Sequence, residues 1–336
     1  MQSPEQKAAE ALWPIIGSKL LTKPLYVAAR LGVADQLVEG PVHVDELARR
    51  TGTHAPSMYR LLRALASAGI FAEGPQRVFQ NTPMSELTVD SPHSLRPMIL
   101  WINDPRHDHL YESLLHCVKT GETAIAAVSD KPLWEWLQSQ PDLHAIFNRA
   151  MTSNAANLHR AAAEVVDFTG IGTLVDIGGG HGQLLVNILK KWPGLNGVVF
   201  DMEGVCDGAR DNIATHELAG RCRVESGDFF REVPAGNAHI MSFIIHDWLD
   251  EPAGAILRNI HRAQPASGRV ILVENVIPEG NEPNFGKLID IEMLALANGR
   301  ERRAEEFGAL FASAGYRLSR IVPTASPCSV IEAVKA

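Results

Sequence analysis

The stretch Leu174-Val175-Asp176-Ile177-Gly178-Gly179-Gly180-His181-Gly182-Gln183 constrains the fold more than any other, because an apolar run ends in an acid and breaks into glycines. A helical pattern, Leu184-Leu185-Val186-Asn187-Ile188-Leu189-Lys190, follows at once. Strand, glycine turn and helix in that order make a βα unit that takes a nucleotide at the turn. Further apolar runs at 197–201, 221–225, 238–245 and 269–273 alternate with helical patterns near 204–215 and 253–263. Their apolar residues are continuous rather than alternating, which suits strands covered on both faces of a parallel sheet. Two last runs, at 316–322 and 328–334, are close enough in sequence to form a terminal antiparallel hairpin. The expected fold class is α/β: a Rossmann-like doubly wound sheet preceded by a mostly helical N-terminal domain.

The glycines narrow the ligand. A dinucleotide fingerprint is G-x-G-x-x-G, with its backbone against a pyrophosphate at a helix N-terminus. Here Gln183 stands where the last glycine would fall, and Asp176 sits two residues before the first, where it would repel a pyrophosphate. An acid there suits a cationic, phosphate-free nucleotide, and S-adenosylmethionine, with its ammonium and sulfonium, meets that requirement. Asp201 ends the next strand, where an acid accepts ribose hydroxyls. Gly227-Asp228-Phe229-Phe230 follows the third, where an acid can take the adenine amine and an aromatic ring can lie on its face.

The N-terminal half reads differently. Apolar residues recur at helical spacing over 8–30, with Pro24 placed to open a second helix. Leu12, Trp13, Ile15, Ile16, Leu20, Leu21, Leu25, Val27 and Leu31 are more than a small domain needs on one face, so part of this surface is expected to bury against another subunit. Two short helical patterns, 44–52 and 57–69, are separated by a glycine-containing turn, and two short strands follow about Gly74-Pro75. Together they spell a winged helix. Arg60 and Arg63 on its second helix invite a DNA-binding reading, but the chain carries a formal charge of −8, and the electrostatic attraction that dominates non-specific DNA affinity is missing. A dimerisation module is the expected use.

Residues 92–166 read as helical and rich in Trp, Phe, His and Met. Most such side chains pack cores, yet together they also resemble a pocket for a flat aromatic ligand. Pro105, Pro132 and Pro141 mark helix starts, and 169–173 reads as a hinge. With 336 residues, two domains are the better expectation. The expected division is a winged-helix-like dimerisation domain at 1–95, a helical connector contributing to the substrate pocket at 96–165, and the nucleotide-binding domain at 166–336. The four cysteines are scattered without C-x-x-C spacing and read as reduced thiols. Neither a signal-peptide pattern nor an apolar run near the roughly 20 residues of a membrane span is evident, so the expected location is cytoplasmic, with no membrane partner.

Taken in order, these features resemble the class I O-methyltransferases of the caffeic acid O-methyltransferase type, above all bacterial members that methylate hydroxyaromatic secondary metabolites. The resemblance runs from the winged helix through Phe147-Asn148-Arg149-Ala150-Met151 and the glycine turn. It continues through Gly227-Asp228-Phe229-Phe230, Ile245-His246-Asp247-Trp248, Val273-Glu274 and Gly299-Arg300-Glu301-Arg302. It implies a homodimer built through the N-terminal domain, S-adenosylmethionine as cofactor, a small aromatic acceptor bound between the domains, and no nucleic-acid partner. Carried over by motif, His246 is the general base, steadied by Glu274 and Glu301. The cofactor contacts fall on Asp176, Gly178, Gly180, Asp201, Met202, Asp228, Phe229 and Ser242, and the acceptor pocket on Trp101, Phe147, Met151, Asp247, Met293 and Asn298. Ser242 stands where plant members usually carry a lysine, Ala155 where they carry a serine, and Asn298-Gly299-Arg300 replaces their longer closing loop.

The residues themselves fit that chemistry. His246 follows the run 238–245, at the edge where open α/β sheets bind ligands, although packing or capping is the commoner use of a lone histidine. Asp247 reads as a cap for the following helix, and Glu274 as the end of the next strand, beside His246. Thirteen histidines raise the question of a metal, but no H-x-x-x-H or cysteine cluster appears, so none is expected. Other readings stay open: transfer to nitrogen or carbon on the same scaffold, a relative that holds the cofactor without transferring methyl, or a ligand-sensing winged-helix regulator.

Overall fold

The structure, a computed structural model, describes residues 3–91 and 94–336, except the side chains at 154, 156 and 157. Positions 1–2 of the N-terminal reading and 92–93 of the helical stretch lie outside the described residues. The chain separates into two compact units, Met1–His109 with Leu137–Asn154, and Leu110–Trp136 with Ala155–Ala336. The segment expected as one connector, 96–165, is thus shared between the units. One reason is that Leu114–Thr120 and Ala124–Val128 pack on the late helix Gly286–Leu296.

In the first unit the helices Val44–Thr51 and Ala55–Ser67 pack over a small antiparallel sheet. Its strands are β1 (Val42–His43), β2 (Phe71–Gly74) and β3 (Val78–Asn81), in the order β1-β3-β2. Leu47, Leu62, Leu65 and Phe79 are fully buried at its centre. Pro24 does not open the second helix as expected. That helix runs Lys19–Leu31 and carries Pro24 inside it. Gly17 and Ser18 carbonyls already accept from Leu20 and Leu21, so the helix starts a turn earlier. Packing on Ala55–Ser67 and Arg96–Ile102 offsets the bond that proline cannot make. The preceding helix, Pro4–Ile16, buries none of its residues. Trp13, Ile15, Ile16 and Leu20 are 62–80% exposed, an apolar face that the described residues leave uncovered.

The second unit is built on seven strands: β4 (Thr173–Ile177), β5 (Asn196–Asp201), β6 (Cys222–Ser226), β7 (Ala238–Ser242), β8 (Arg269–Glu274), β9 (Tyr316–Pro323) and β10 (Ser329–Lys335). Their order is β6-β5-β4-β7-β8-β10-β9, parallel through β8 and closed by the antiparallel β9–β10 hairpin. Leu174 faces one core with Leu185, Ile188 and Ile240, while Val175 and Ile177 face the other with Met241, Ile256 and Phe311. Both faces are covered, which is why the strand runs are continuously apolar. β4 lies between β5 and β7, and the chain order reverses there, so the ligand crevice belongs at the C-terminal ends of β4 and its neighbours. The run 238–245 yields a strand only to Ser242. Phe243 takes a positive φ of 53°, and Ile245–Asp247 coil into a 3-10 turn, which lifts His246 out of the sheet. Among the described residues no helix is long and apolar enough to cross a membrane.

Candidate active site

The glycine turn is held by tight geometry. Gly178 has φ 66°, which disfavours any side chain, and a Cβ there would lie 2.4 Å from Ile244 Cδ1, which would have to move aside. Its N–H donates to the Phe200 carbonyl at 2.8 Å, tying β4's end to β5. Gly180 donates to Asp201 Oδ2 at 2.8 Å, and Met202 N to Asp201 Oδ1 at 2.7 Å. Asp201 therefore shapes the turn, with lone pairs left over for hydroxyl donors.

Asp176 is 1% exposed, and its Oδ2 has no hydrogen-bond partner among the described residues. Burial, and then the nearby Asp201, hold its carboxyl well above the usual range. A buried carboxylate oxygen without a donor is costly unless a ligand supplies one. The acids at these two strand ends form a donor-hungry set that fits a cation without phosphate. At the third strand end Asp228 Oδ1 accepts from Phe230 N at 2.8 Å. Phe229, Phe230 and Trp248 stand edge to face, with ring centroids 4.8–6.2 Å apart. Met202 is largely exposed beside this edge of the sheet, and Ser242 Oγ lies 3.0 Å from His159 Nε2.

The 3-10 turn brings His246 among carboxylates. Nδ1 is 2.9 Å from Glu301 Oε1 and 4.0 Å from Glu274 Oε2, and Nε2 is 3.5 Å from Asp247 Oδ1. Burial alone would push this imidazole down, but Glu274, Asp247 and Glu301 together outweigh it and raise it to about 10. Glu274 is fully buried and raised to about 7 by burial and by its acidic neighbours, against the pull of His246. Its Oε1 accepts from Ile244 N at 3.2 Å and Ile245 N at 3.0 Å, so it braces the backbone under His246 rather than bonding the ring. Asp247 is also raised, by burial first, and does not cap the following helix as expected. That helix begins at Asp250, with Leu249 at the cap position and no side-chain cap. Trp248 runs extended between them and carries the start out of Asp247's reach.

Several residues that sequence reasoning missed complete the arrangement. Asn275 Nδ2 donates to Glu301 Oε1 at 3.0 Å, and Asp290 Oδ1 accepts from Glu301 N at 2.8 Å, so Glu301 is gripped at both ends. Arg302, 1% exposed, donates to the carbonyls of Ile245 and Trp248 at 3.1 and 2.8 Å and to Asp250 at 2.8 Å. Arg300 N donates to the His246 carbonyl at 2.8 Å. Gly299 lies so close that a Cβ would be 2.0 Å from that carbonyl oxygen. Gly299 and Arg302 were part of the quoted motif around Glu301, but nothing in the sequence gave them a role.

The remaining expected pocket residues are distributed over both units. Trp101 and Phe147 meet edge to face at 4.9 Å in the first unit, with Met151 exposed on the helix Pro141–Val165. In the second unit Met293 is half-buried on Gly286–Leu296, and Asn298 is exposed with φ 54°. The same helix carries Glu292, which accepts from the Tyr111 hydroxyl. His246, Glu274 and Glu301 each offer one ligand-type atom within 4.8 Å of the others, the kind of set that could hold a cation as well as a proton.

Two family models match this chain: an O-methyltransferase domain over residues 111–317 and an O-methyltransferase dimerisation domain over 13–91. A phenazine O-methyltransferase of Lysobacter antibioticus is 40% identical over 93% of this chain and 92% of its own length. The SAH-bound structure of CalO1, a methyltransferase in calicheamicin biosynthesis, superposes with a TM-score of 0.89 at 34% identity, covering 100% of both chains. The O-methyltransferase NcsB1 from neocarzinostatin biosynthesis, solved with S-adenosylmethionine and 2-hydroxy-5-methyl naphthoic acid, gives a TM-score of 0.78 at 32% identity, covering 94% of this chain and 97% of its own.

Proposed function

The chain belongs to the S-adenosylmethionine-dependent O-methyltransferase family, and from that premise we propose that it methylates a phenolic hydroxyl of a small aromatic secondary metabolite with His246 as general base. The observation that carries the base assignment is the imidazole held at 2.9 Å by the buried Glu301 carboxylate, on the 3-10 turn that follows β7, the neighbour of the strand that runs into the glycine turn. Asp176, Asp201 and Asp228 would hold the cofactor, whose sulfonium supplies an already activated methyl group. What the protein must add is alignment of the acceptor and removal of its proton.

The hydrogen bond to Glu301 places the ring's proton on Nδ1 and leaves Nε2 for the acceptor. With the acids around it the imidazole is held at about 10, close to a phenol's value of about 10. Raised by its acidic neighbours, the ring is a stronger base toward a phenol than an ordinary imidazole, and the pair carries one proton when it is ready to react. In neutral solution both partners are protonated, so one proton must leave first. Asp247, Met293 and Asn298 are assigned to acceptor contact.

The pH profile tests this. kcat/KM rises by up to about tenfold per pH unit between pH 6 and 9. A carboxylate favours the charged imidazole, so in Glu301→Gln the ring releases its proton at lower pH and the rising limb moves down. A limb that stays in place or moves up sinks the assignment. Chelation tests the cation alternative at the same residues: activity survives exhaustive chelation, whereas a loss restored by Fe²⁺ would replace the base with a metal.

We assign the exposed apolar face of Pro4–Ile16 and Lys19–Leu31 to a homodimer interface, supported by the matched dimerisation domain. Replacing Trp13 and Ile16 together with serine shifts the protein toward monomer in sedimentation. An unchanged dimer would place the interface elsewhere.

A further inference from the structure

A buried pair in the second unit has no part in the chemistry above. His159, on the helix Pro141–Val165, sets Nε2 3.0 Å from the Ser242 hydroxyl, and its Nδ1 is buried without a hydrogen-bond partner among the described residues. Ser242 is the last residue of β7, which pairs in parallel with β4 through Asp176 and Ile240. Continuing that register sets Ser242 beside Gly178, the first residue of the glycine turn. Two orphaned polar atoms thus lie near neighbouring strand ends: Asp176 Oδ2 one residue before the end of β4, and His159 Nδ1 on a helix-borne ring that is bonded to the last residue of β7. One is an acceptor, and the other can donate.

The methionine end of S-adenosylmethionine carries an ammonium and a carboxylate on the same carbon. We propose that His159, its tautomer set by Ser242, donates its Nδ1–H to that carboxylate while Asp176 accepts from the ammonium. The proposal rests on the cofactor reading above and concerns a positioning residue that touches the cofactor, not the transferred methyl. In this arrangement the Ser242 hydroxyl donates to Nε2, which leaves the ring proton on Nδ1. Burial holds the imidazole down to about 4, so it is a neutral donor at pH 7. A lysine at this end would add a positive charge beside a ligand that already carries a sulfonium. A neutral imidazole holds the carboxylate without opposing that charge.

Isothermal calorimetry with S-adenosylmethionine and with its decarboxylated analogue separates this role from a structural one. His159→Leu weakens S-adenosylmethionine about tenfold, as expected for a lost hydrogen bond to a charged group, and leaves the decarboxylated analogue's affinity unchanged. Ser242→Ala weakens S-adenosylmethionine selectively but by less, and it carries the test if His159→Leu does not fold. His159→Gln, which keeps a neutral donor, restores part of the loss. Equal losses for both ligands, or no loss for S-adenosylmethionine, overturn the proposal. Wild-type protein that binds neither ligand overturns the cofactor reading beneath it.

Discussion

Replacing His246 with glutamine lowers kcat by roughly 10²–10⁴-fold, the range a positioned general base contributes, and leaves S-adenosylmethionine affinity by calorimetry nearly unchanged. Glutamine can still donate to Glu301 Oε1, so the buried carboxylates keep a partner and the loop keeps its place. It cannot accept a phenolic proton at neutral pH. Asp176 and Asp201, assigned to the cofactor, stand on β4 and β5, and none of their hydrogen bonds involves His246. Loss of cofactor binding, or turnover within about threefold of wild type, would remove His246 from the role of base. If the mutant regained rate at high pH, where the acceptor ionises unaided, the missing function would be identified as proton removal.

The second large effect is expected from a residue with no side chain. In Gly299→Ala the new Cβ would lie 2.0 Å from the His246 carbonyl oxygen and 2.7–2.8 Å from Asp247 backbone atoms. Backbone cannot yield as a flexible side chain does, so the 298–302 loop retreats. The Arg300 N–H bond to His246 O and the Glu301 bond to Nδ1 lengthen with it. A misplacement of about 1 Å costs on the order of 10²-fold in rate, so kcat falls about that far while calorimetric cofactor affinity holds. Gly194→Ala is the control, because a Cβ there meets nothing within 4 Å and its φ is not in the left-handed region. If Gly299→Ala kept full turnover, the close approach would be incidental and the loop would not position Glu301.

The glycine turn and the acids at 176, 201 and 228 could be read in the sequence because each falls at a strand end, and strand ends are marked by where an apolar run stops. The run 238–245 was harder, since apolar composition does not separate strand from 3-10 turn. Phe243 adopts a left-handed conformation that its residue type gives no reason to expect. The same limit explains Asp247, which looked like a helix cap until Trp248 proved extended and the helix began at Asp250. Pro24 misled in the opposite direction, because tertiary packing kept it within a helix that local preference would have started there.

Glu274 and Glu301 divide their labour in a way that residue type and motif do not distinguish. Both carboxylates were attached to His246 by motif, but only Glu301 hydrogen-bonds the ring, while Glu274 takes two backbone N–H groups beneath it. The roles of Asn275 and Asp290, and the contacts of Gly299 and Arg302, could not be found from spacing, because the groups they meet lie up to 57 residues away along the chain. What was set at the level of sequence is the sheet, the turn and the charge of the ligand, which follow from periodicity and from acids at run ends. Folding alone decided which atoms meet around His246, because hydrogen bonds between distant loops depend on how strand ends are juxtaposed and leave no periodic trace.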